Sequence, residues 1–464
     1  MHSLPGAVTA PPQPPASTNV PEAECVFVSF DGGVRAVGKL QQPDRYRYWD
    51  RNTLQMPRIS RGAGLSYAAA SFVEGGLSVS HASFDRVTGF DSVSKIVEVE
   101  SGITLFALHA FLSSHGLYLP VQPGHGRITI GGCIAADVHG KNHARDGTFM
   151  NQVESLTLFH PSHGILELSR EREPDLFRLT CGGYGLTGHI VRAQLRAIPI
   201  PSGSLHMKAT PFFDAMAGLE QLRHAACQAD FAYSWHDMAG AGKSFGSGYV
   251  FQAHFAPDGH EASSQSSDAE PPQLYAAGRA AWPVALLNSF SVRALNVVYR
   301  RQQRHALAGR TLALQDALFP THKVQLYFKL FGVRGFHEYQ VILPLEAMRD
   351  YLDTIRTSIR QRRLTITLAS AKAFDGPREL LRFTGEGVCL ALNFPRGEMA
   401  REFMPFLDER MIALGGVPNI IKDSRLPRAV VDACYPGADE FRAALCAFDP
   451  KRMFRSELSE RLGL

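Results

Sequence analysis

The chain has 464 residues, 45% of them hydrophobic and 20% charged, which exceeds the ~250–300 residues at which a single core stops growing and predicts two domains. Lysine plus arginine number 48 against 44 aspartates and glutamates, a bias of +4 too weak to hold nucleic acid by phosphate neutralisation, so that class is excluded. The seven cysteines form no CxxC and no Cys/His pair has zinc-ligand spacing, so a reduced, cytoplasmic chain without structural metal is expected.

In chain order, residues 1–22 carry PPQPP and predict a disordered leader without the apolar core of a signal peptide. No stretch reaches the ~20 apolar residues of a membrane span, so the expectation is a soluble or peripheral protein. Short β-type runs follow: Cys25–Phe30, Leu77–Val79, Ile96–Val99, then Leu156–Phe159 and Ile165–Leu168 joined by the turn Pro161–Gly164. Between them Thr104 caps a helix with the stripe Leu105, Leu108, Phe111 and Leu112, ended by Gly116 and Pro120. After the strand Ile190–Ile198 and the break Pro199–Pro201 the pattern changes. Helices over Phe212–Ala229 and Leu345–Arg362 alternate with strands over Lys323–Phe331, Phe336–Leu343, Thr365–Phe374 and Val388–Phe394. Within this region Pro257–Pro272 has little to bury and reads as a disordered loop. From about Gly416 a short strand leads to helices around Glu440–Ala447 and Ser456–Leu462.

The segment Trp282–Arg310 carries Arg293, Arg300, Arg301, Arg304 and Arg310 with no acid, among Leu286, Leu287, Phe290, Leu295, Val297 and Val298. Such a stretch suits an anionic membrane surface, and equally an ordinary cap helix with solvated arginines.

Three glycine loops carry the strongest chemical signal. Gly183-Tyr-Gly185-Leu-Thr-Gly188 spells GxGxxG, yet it precedes a strand and lacks the following acidic residue, so a Rossmann site is rejected in favour of a turn. Arg61-Gly62-Ala63-Gly64-Leu65-Ser66-Tyr67 offers unhindered N–H groups, a hydroxyl and a guanidinium, a set that cradles pyrophosphate. The third loop runs from Pro120 through Pro123, Gly124, Thr129, Gly131 and Gly132 to Asp137-Val-His139-Gly140-Lys141-Asn142-His143. Three such loops among short strands point to a large cofactor threaded through a non-Rossmann α+β domain.

RGAGLSY, PVQPGHGRITIGGCIAADVHGKNH and CGGYGLTGHIVR resemble the PCMH-type FAD-binding domain of the vanillyl-alcohol-oxidase superfamily. Within it DVHGKNH, FHEYQVILP, GVCLALNFP and IKDSR resemble the family of decaprenylphosphoryl-ribose oxidases, from about Leu54 to the C-terminus. The resemblance implies an α+β fold: a two-subdomain FAD domain over 23–200, a substrate cap with an antiparallel sheet over 201–415, and a segment 416–464 returning to the FAD domain. It implies non-covalent FAD, its pyrophosphate held by Arg61–Tyr67 and Gly131–Gly132. Gly182, Gly183, Gly185, Gly188 and Ile190 would line the adenosine and ribityl parts, and Pro123 and Gly124 the isoalloxazine. Thr129, Ala136, His139, Gly140, Asn142 and Lys422 would complete the cofactor wall.

On the substrate side the resemblance points to Tyr327, Gln340, Lys372, Cys389 and Lys422, with Lys422, His139 and Lys141 as catalytic candidates whose roles are interchangeable. Two departures are visible: Glu338 stands where the family strand has Gln, and Pro418-Asn-Ile-Ile before Lys422 lacks the family's Tyr. The implied reaction oxidises the 2′-hydroxyl of a polyprenyl-phosphoryl pentose to a ketone, the first half of an epimerisation completed by a separate NAD(P)H-dependent short-chain reductase, at the inner face of the cytoplasmic membrane. A soluble-sugar, alditol or aldonolactone oxidase and a non-catalytic flavin scaffold are the alternatives. Residue by residue, His139 and Lys141 also read as loop groups bonding local carbonyls, Lys422 and Arg425 as surface charges, and Cys389 as a buried inert thiol.

Overall fold

The computed structural model describes residues 22–44, 56–256, 283–320, 325–362 and 364–464. The expected leader, apart from Glu22, and the loop Pro257–Pro272 lie outside the described residues. The fold is α+β, built on three main sheets.

The first sheet holds Glu22–Val28, Arg35–Gln41, Leu77–Ser80 and Arg58–Arg61 in that order, antiparallel at its first pair and parallel thereafter. The second is antiparallel and ordered Val87–Asp91, Ile96–Glu100, His189–Arg196, Val153–His160, Gly164–Ser169. Against it packs the helix Leu105–Ser113, where Thr104 Oγ1 accepts the Ala107 N–H at 3.2 Å and Leu105, Leu108 and Leu112 are buried. The glycines before His189–Arg196 make turns: Gly182 and Gly185 have φ of +83° and +80°, which L side chains rarely adopt. They link the helix Pro174–Thr180 to the strand, as the rejection of a Rossmann reading required.

The third sheet has eight strands: Arg310–Ala313, Ser204–Phe212, Gly248–Phe255, Phe231–His236, Leu368–Phe374, Gly387–Pro395, Phe336–Leu343 and Val417–Pro418. Alternation of side chains along these strands sorts residues to two faces. Tyr339, Val341, Leu390, Leu392, Phe394, Ala369 and Ala371 join a core with the helices Ala215–Gln228, Leu345–Arg362 and Glu398–Ala413. Glu338, Gln340, Lys372 and Cys389 alternate with them and belong to the opposite face. At the far end of the sheet Leu205, Met207, Trp235 and Phe251 share a core with the second sheet.

Two expected elements are corrected. Within Lys323–Phe331 the described residues form a helix, Gln325–Lys329, not a strand. Tyr327, Phe328 and Phe331 fall at helical spacing and pack with Phe30 and Phe336 in one aromatic cluster, with centroids 4.9–5.3 Å apart for Phe30–Phe328, Tyr327–Phe331 and Phe331–Phe336. The helix expected from Phe212 begins at Ala215, because Phe212 still pairs with Gly248 and Asp214 caps the helix through the Ala217 N–H.

We propose that the domains divide near residue 200, with 416–464 returning to the first. Arg58 supports this, bonding the Met453 carbonyl and the Arg455 N–H, at 2.9 and 3.0 Å. Val417–Pro418, however, still completes the third sheet against Val341 and Ile342.

Candidate active site between the glycine loops and the third sheet

A cavity of about 1660 Å³, counting the solvent at its mouth, runs between the three glycine loops and the polar face of the third sheet. Gly62–Tyr67, Pro123, Gly124, Thr129, Gly131, Gly132, Ala136, His139, Gly185, Gly188 and Ile190 line it from one side. Gln340, Lys372 and Lys422 line it from the other. The backbone comes this close because the glycines carry no Cβ: one on Gly62 would stand 2.2 Å from Thr129 Oγ1. The wall is glycine backbone with the hydroxyls of Ser60, Ser66, Ser71, Ser101 and Thr129, and its sheet end carries two lysines. That donor set fits FAD: a diphosphate among N–H and hydroxyl groups, and a ring that becomes anionic on reduction beside ammonium groups.

Lys422 sits on the loop after Val417–Pro418, and the loop is clamped from two sides. The Arg425 guanidinium is bidentate on Asp408, at 2.6 and 2.9 Å, and 2.9 Å from Asp423. Ser424 donates to Asp31 Oδ2 at 2.5 Å, and Arg396 reaches the same oxygen at 2.7 Å. Arg425 is therefore a brace instead of a surface charge. Asn419, in the stretch before Lys422 that lacks the family's Tyr, lines the cavity and donates through Nδ2 to Gln340 Oε1 at 2.8 Å. Lys422 Nζ lies 3.3 Å from Glu338 Oε1 and 4.0 Å from the Tyr67 ring centroid. Gln340 Nε2 also donates to Glu338 Oε1. Burial and the Glu338 carboxylate hold the Tyr67 phenol well above its usual range.

His139 donates Nδ1–H to the Gly140 carbonyl at 3.1 Å, which leaves Nε2 as an acceptor. Burial, Lys372 and His143 keep this imidazole neutral, well below the usual histidine range. Burial likewise lowers Lys372.

Several expected residues stand outside the cavity wall. Lys141 donates to the carbonyls of Ala317 and Leu318 at the end of the helix Leu314–Leu318, with Tyr233 5.9 Å away. Burial brings it to about 7, and the bonds it makes in this structure are to main-chain carbonyls. The Arg61 guanidinium turns under its loop to Ser71 Oγ at 2.8 Å and the Phe27 ring. Asn142 ties its segment to the Pro120 carbonyl at 2.9 Å, and Gly140 packs on it. Gly182 and Gly183 lie behind the wall: their N–H groups bond the Ile134 and Thr180 carbonyls. The Tyr327 hydroxyl bonds Thr367 at 2.7 Å, and Phe328 takes the place at the cavity. Cys389 pairs across the strands with Lys372, buried, its thiol pushed up to about 12 by desolvation.

The cavity also draws on residues outside those motifs, among them Phe30, Ser60, His81, Ser101 and Phe383, and on three motif residues given no site role above, His125, Asp137 and Ile421. They come from strand ends and turns that only the tertiary fold brings together. His81 is engaged at both ring nitrogens, with Ser101 Oγ at 2.7 Å and His189 Nδ1 at 3.4 Å, and burial lowers it to about 4. Among the described residues there is no His/Cys/Asp/Glu group able to hold a metal ion, and no helix long and apolar enough to cross a membrane.

Residues 49–169 match the FAD binding domain family. The protein is an FAD-dependent oxidoreductase with a PCMH-type FAD-binding domain, similar to enzymes acting on CH–OH groups. The chain is 28% identical to decaprenylphosphoryl-β-D-ribose oxidase of Mycolicibacterium smegmatis over 415 residues, 88% of this chain and 89% of the relative. It is 29% identical to an uncharacterized protein of Streptomyces coelicolor, over 78% of this chain and all of the relative. Against the mitochondrial L-galactono-1,4-lactone dehydrogenase 1 of Oryza sativa subsp. japonica the identity is 36%, confined to 30% of this chain and 23% of the relative.

Proposed function

We propose that the protein oxidises the 2′-hydroxyl of a polyprenyl-phosphoryl pentose to the 2′-ketone, the first half of an epimerisation that a separate NAD(P)H-dependent short-chain reductase completes. The observation carrying this reading is the extent of similarity to the Mycolicibacterium oxidase, which takes in the third sheet as well as the FAD domain. The lactone dehydrogenase similarity covers less than a third of the chain and supports the cofactor site without speaking for the substrate.

The glycine wall and its hydroxyls hold the FAD without a covalent link, and the flavin supplies the two-electron acceptor for the carbinol carbon. The chain's own work is to aim that carbon, exclude water and take the hydroxyl proton. Lys422, Gln340 and Asn419 hold the sugar hydroxyls. Lys372 and Lys422 supply positive charge, and His139 offers an acceptor. Acid precipitation tests the linkage: free flavin leaves a yellow supernatant, an attached one a yellow pellet. His81, His125 and His139 all reach the cavity, so the absence of histidine from the first glycine loop does not decide this.

A lipid-linked substrate also accords with the surface over 283–310. Val284, Leu286, Phe290, Leu295, Val297 and Val298 are exposed there, Phe290 at 82%, and Arg293, Arg301, Arg304 and Arg310 are exposed among them. Arg300 turns inward to Asp237 at 3.1 Å and stacks on Trp235, and Leu287 is buried. This surface meets anionic headgroups on the cytoplasmic side of the membrane, each arginine contributing ~1 kcal/mol. Anaerobic mixing with a short-chain prenyl-phosphoryl ribose, free ribose and an aldonolactone tests the substrate. The reading predicts bleaching by the first alone; equal bleaching by a free sugar or lactone replaces it with the soluble-sugar oxidase, and no bleaching by any favours the scaffold.

A further inference from the structure

Glu338 has no place in the catalytic set above, yet among the described residues it is the carboxylate paired with Lys422, at 3.3 Å. It is buried on the polar face of the strand Phe336–Leu343 and bonds Lys422 and Gln340 through the same oxygen. The Tyr67 hydroxyl also faces it. Gln340 and Lys422 line the cavity and Glu338 stands behind them. An oxidoreductase acting on an alcohol must dispose of the hydroxyl proton, and an ammonium paired with a carboxylate is not itself a free base. We infer that Lys422 and Glu338 form one proton-handling pair, in which Lys422 meets the substrate hydroxyl and Glu338 takes the proton passed through it.

The step balances. The carbinol C–H bond breaks with its electron pair leaving to the FAD, which is reduced. The O–H bond breaks and the C=O forms. Lys422 gives one N–H proton to Glu338 as it accepts the hydroxyl proton, ending as the same ammonium beside a neutral carboxylic acid.

The other groups around the pair are poorer sinks. Protonating His139 would add a cation in a buried site already facing Lys372 and Lys422. Tyr67 and Tyr327 are held protonated by burial and by Glu338 itself, and Cys389 is a buried thiol. Lys372, buried on the same face of the sheet, stands near Glu338 as a second cation. A glutamine, which stands here in the family this chain resembles, cannot take a proton. Glu338 is thus a positioning and relay residue acting through Lys422.

The inference rests on the oxidoreductase reading but not on the choice of sugar, so two measurements on the FAD-loaded protein keep them apart. In the first, which needs no substrate, acetic anhydride labels lysines and mass spectrometry reads the Lys422 peptide. An Nζ held against a carboxylate at 3.3 Å is less free to attack the anhydride, so Glu338→Gln is expected to label at least about tenfold faster than the unaltered protein. In the second, anaerobic flavin reduction is followed against pH with whichever alcohol of the panel bleaches the flavin. Glu338→Gln should make reduction rise steeply with pH across the neutral and alkaline range, while unaltered enzyme and Glu338→Asp stay nearly flat there. Equal labelling overturns the pair, and an unchanged pH profile in Glu338→Gln overturns the relay. Bleaching by a free sugar instead of the prenyl-phosphoryl ester overturns only the substrate reading. Unchanged thermal unfolding in Glu338→Gln separates either result from misfolding.

Discussion

The two faces of the eight-stranded sheet are drawn from the same strands and have opposite characters. On one, Tyr339, Val341, Leu390 and Leu392 are buried under three helices. On the other, one residue along, Gln340 and Lys372 belong to the wall that meets the glycine loops, with Glu338 behind Gln340. A strand interior is the most rigid place to hang a polar group, because register fixes every side chain's face and a one-residue slip would exchange the two sets. The apolar face thus supplies the free energy and the polar face spends part of it on desolvated charge.

The largest effect that tests this division is on the polar side. Lys422→Ala should fold and bind FAD yet slow flavin reduction by ~10²–10⁴-fold; near-normal reduction in stopped flow would remove Lys422 from the chemistry. The matching change on the apolar face is Leu392→Ala, fully buried. It should lower unfolding free energy by ~2–5 kcal/mol in urea titrations while leaving the reduction rate of the folded fraction unaltered. A large kinetic defect there would show that the faces are not separable.

His337 belongs to the apolar side by parity and is buried, with neither ring nitrogen bonded among the described residues. Burial, then the nearby Arg396, Arg425 and Arg401, lowers it from 6.5 to about 3. Below pH 6.5 the unfolded chain binds a proton that the folded one refuses until about pH 3, so its stabilisation is present above 6.5 and drains as pH falls through that window. The loss over the whole window is on the order of 5 kcal/mol. His337→Phe should flatten the fall of the urea midpoint between pH 7 and 4; an unchanged slope would assign acid sensitivity to other groups. The smallest effect is on the cofactor side, where Thr129 caps the helix Ile130–Ala135 by accepting the Gly132 N–H at 3.3 Å. Thr129→Ala should cost ~1 kcal/mol of stability and weaken FAD retention on dialysis.

Much of this scaffold was legible from pattern. The strands Phe336–Leu343 and Gly387–Pro395 match the expected Phe336–Leu343 and Val388–Phe394 within a residue, because β-rich runs bounded by turn residues carry their own period. The glycine loops were legible as backbone built for close approach. Pattern could not distinguish neighbours within DVHGKNH: His139 faces the cavity, whereas Lys141 turns to carbonyls far along the chain. Nor could it reveal the Glu338–Lys422 contact, which exists because Val417–Pro418 pairs with Val341 and Ile342. Ser60, His81 and Ser101 carry no motif and reach the cavity only because their strands converge.

The most direct test of the division is a crystal structure of the FAD-loaded protein. The isoalloxazine is expected at the sheet end of the cavity, beside Lys422, Lys372 and Gln340, with the diphosphate along Gly62–Ser66 and Gly131–Gly132. Density for the ring among Ser60, His81 and Ser101, away from those three side chains, would contradict it.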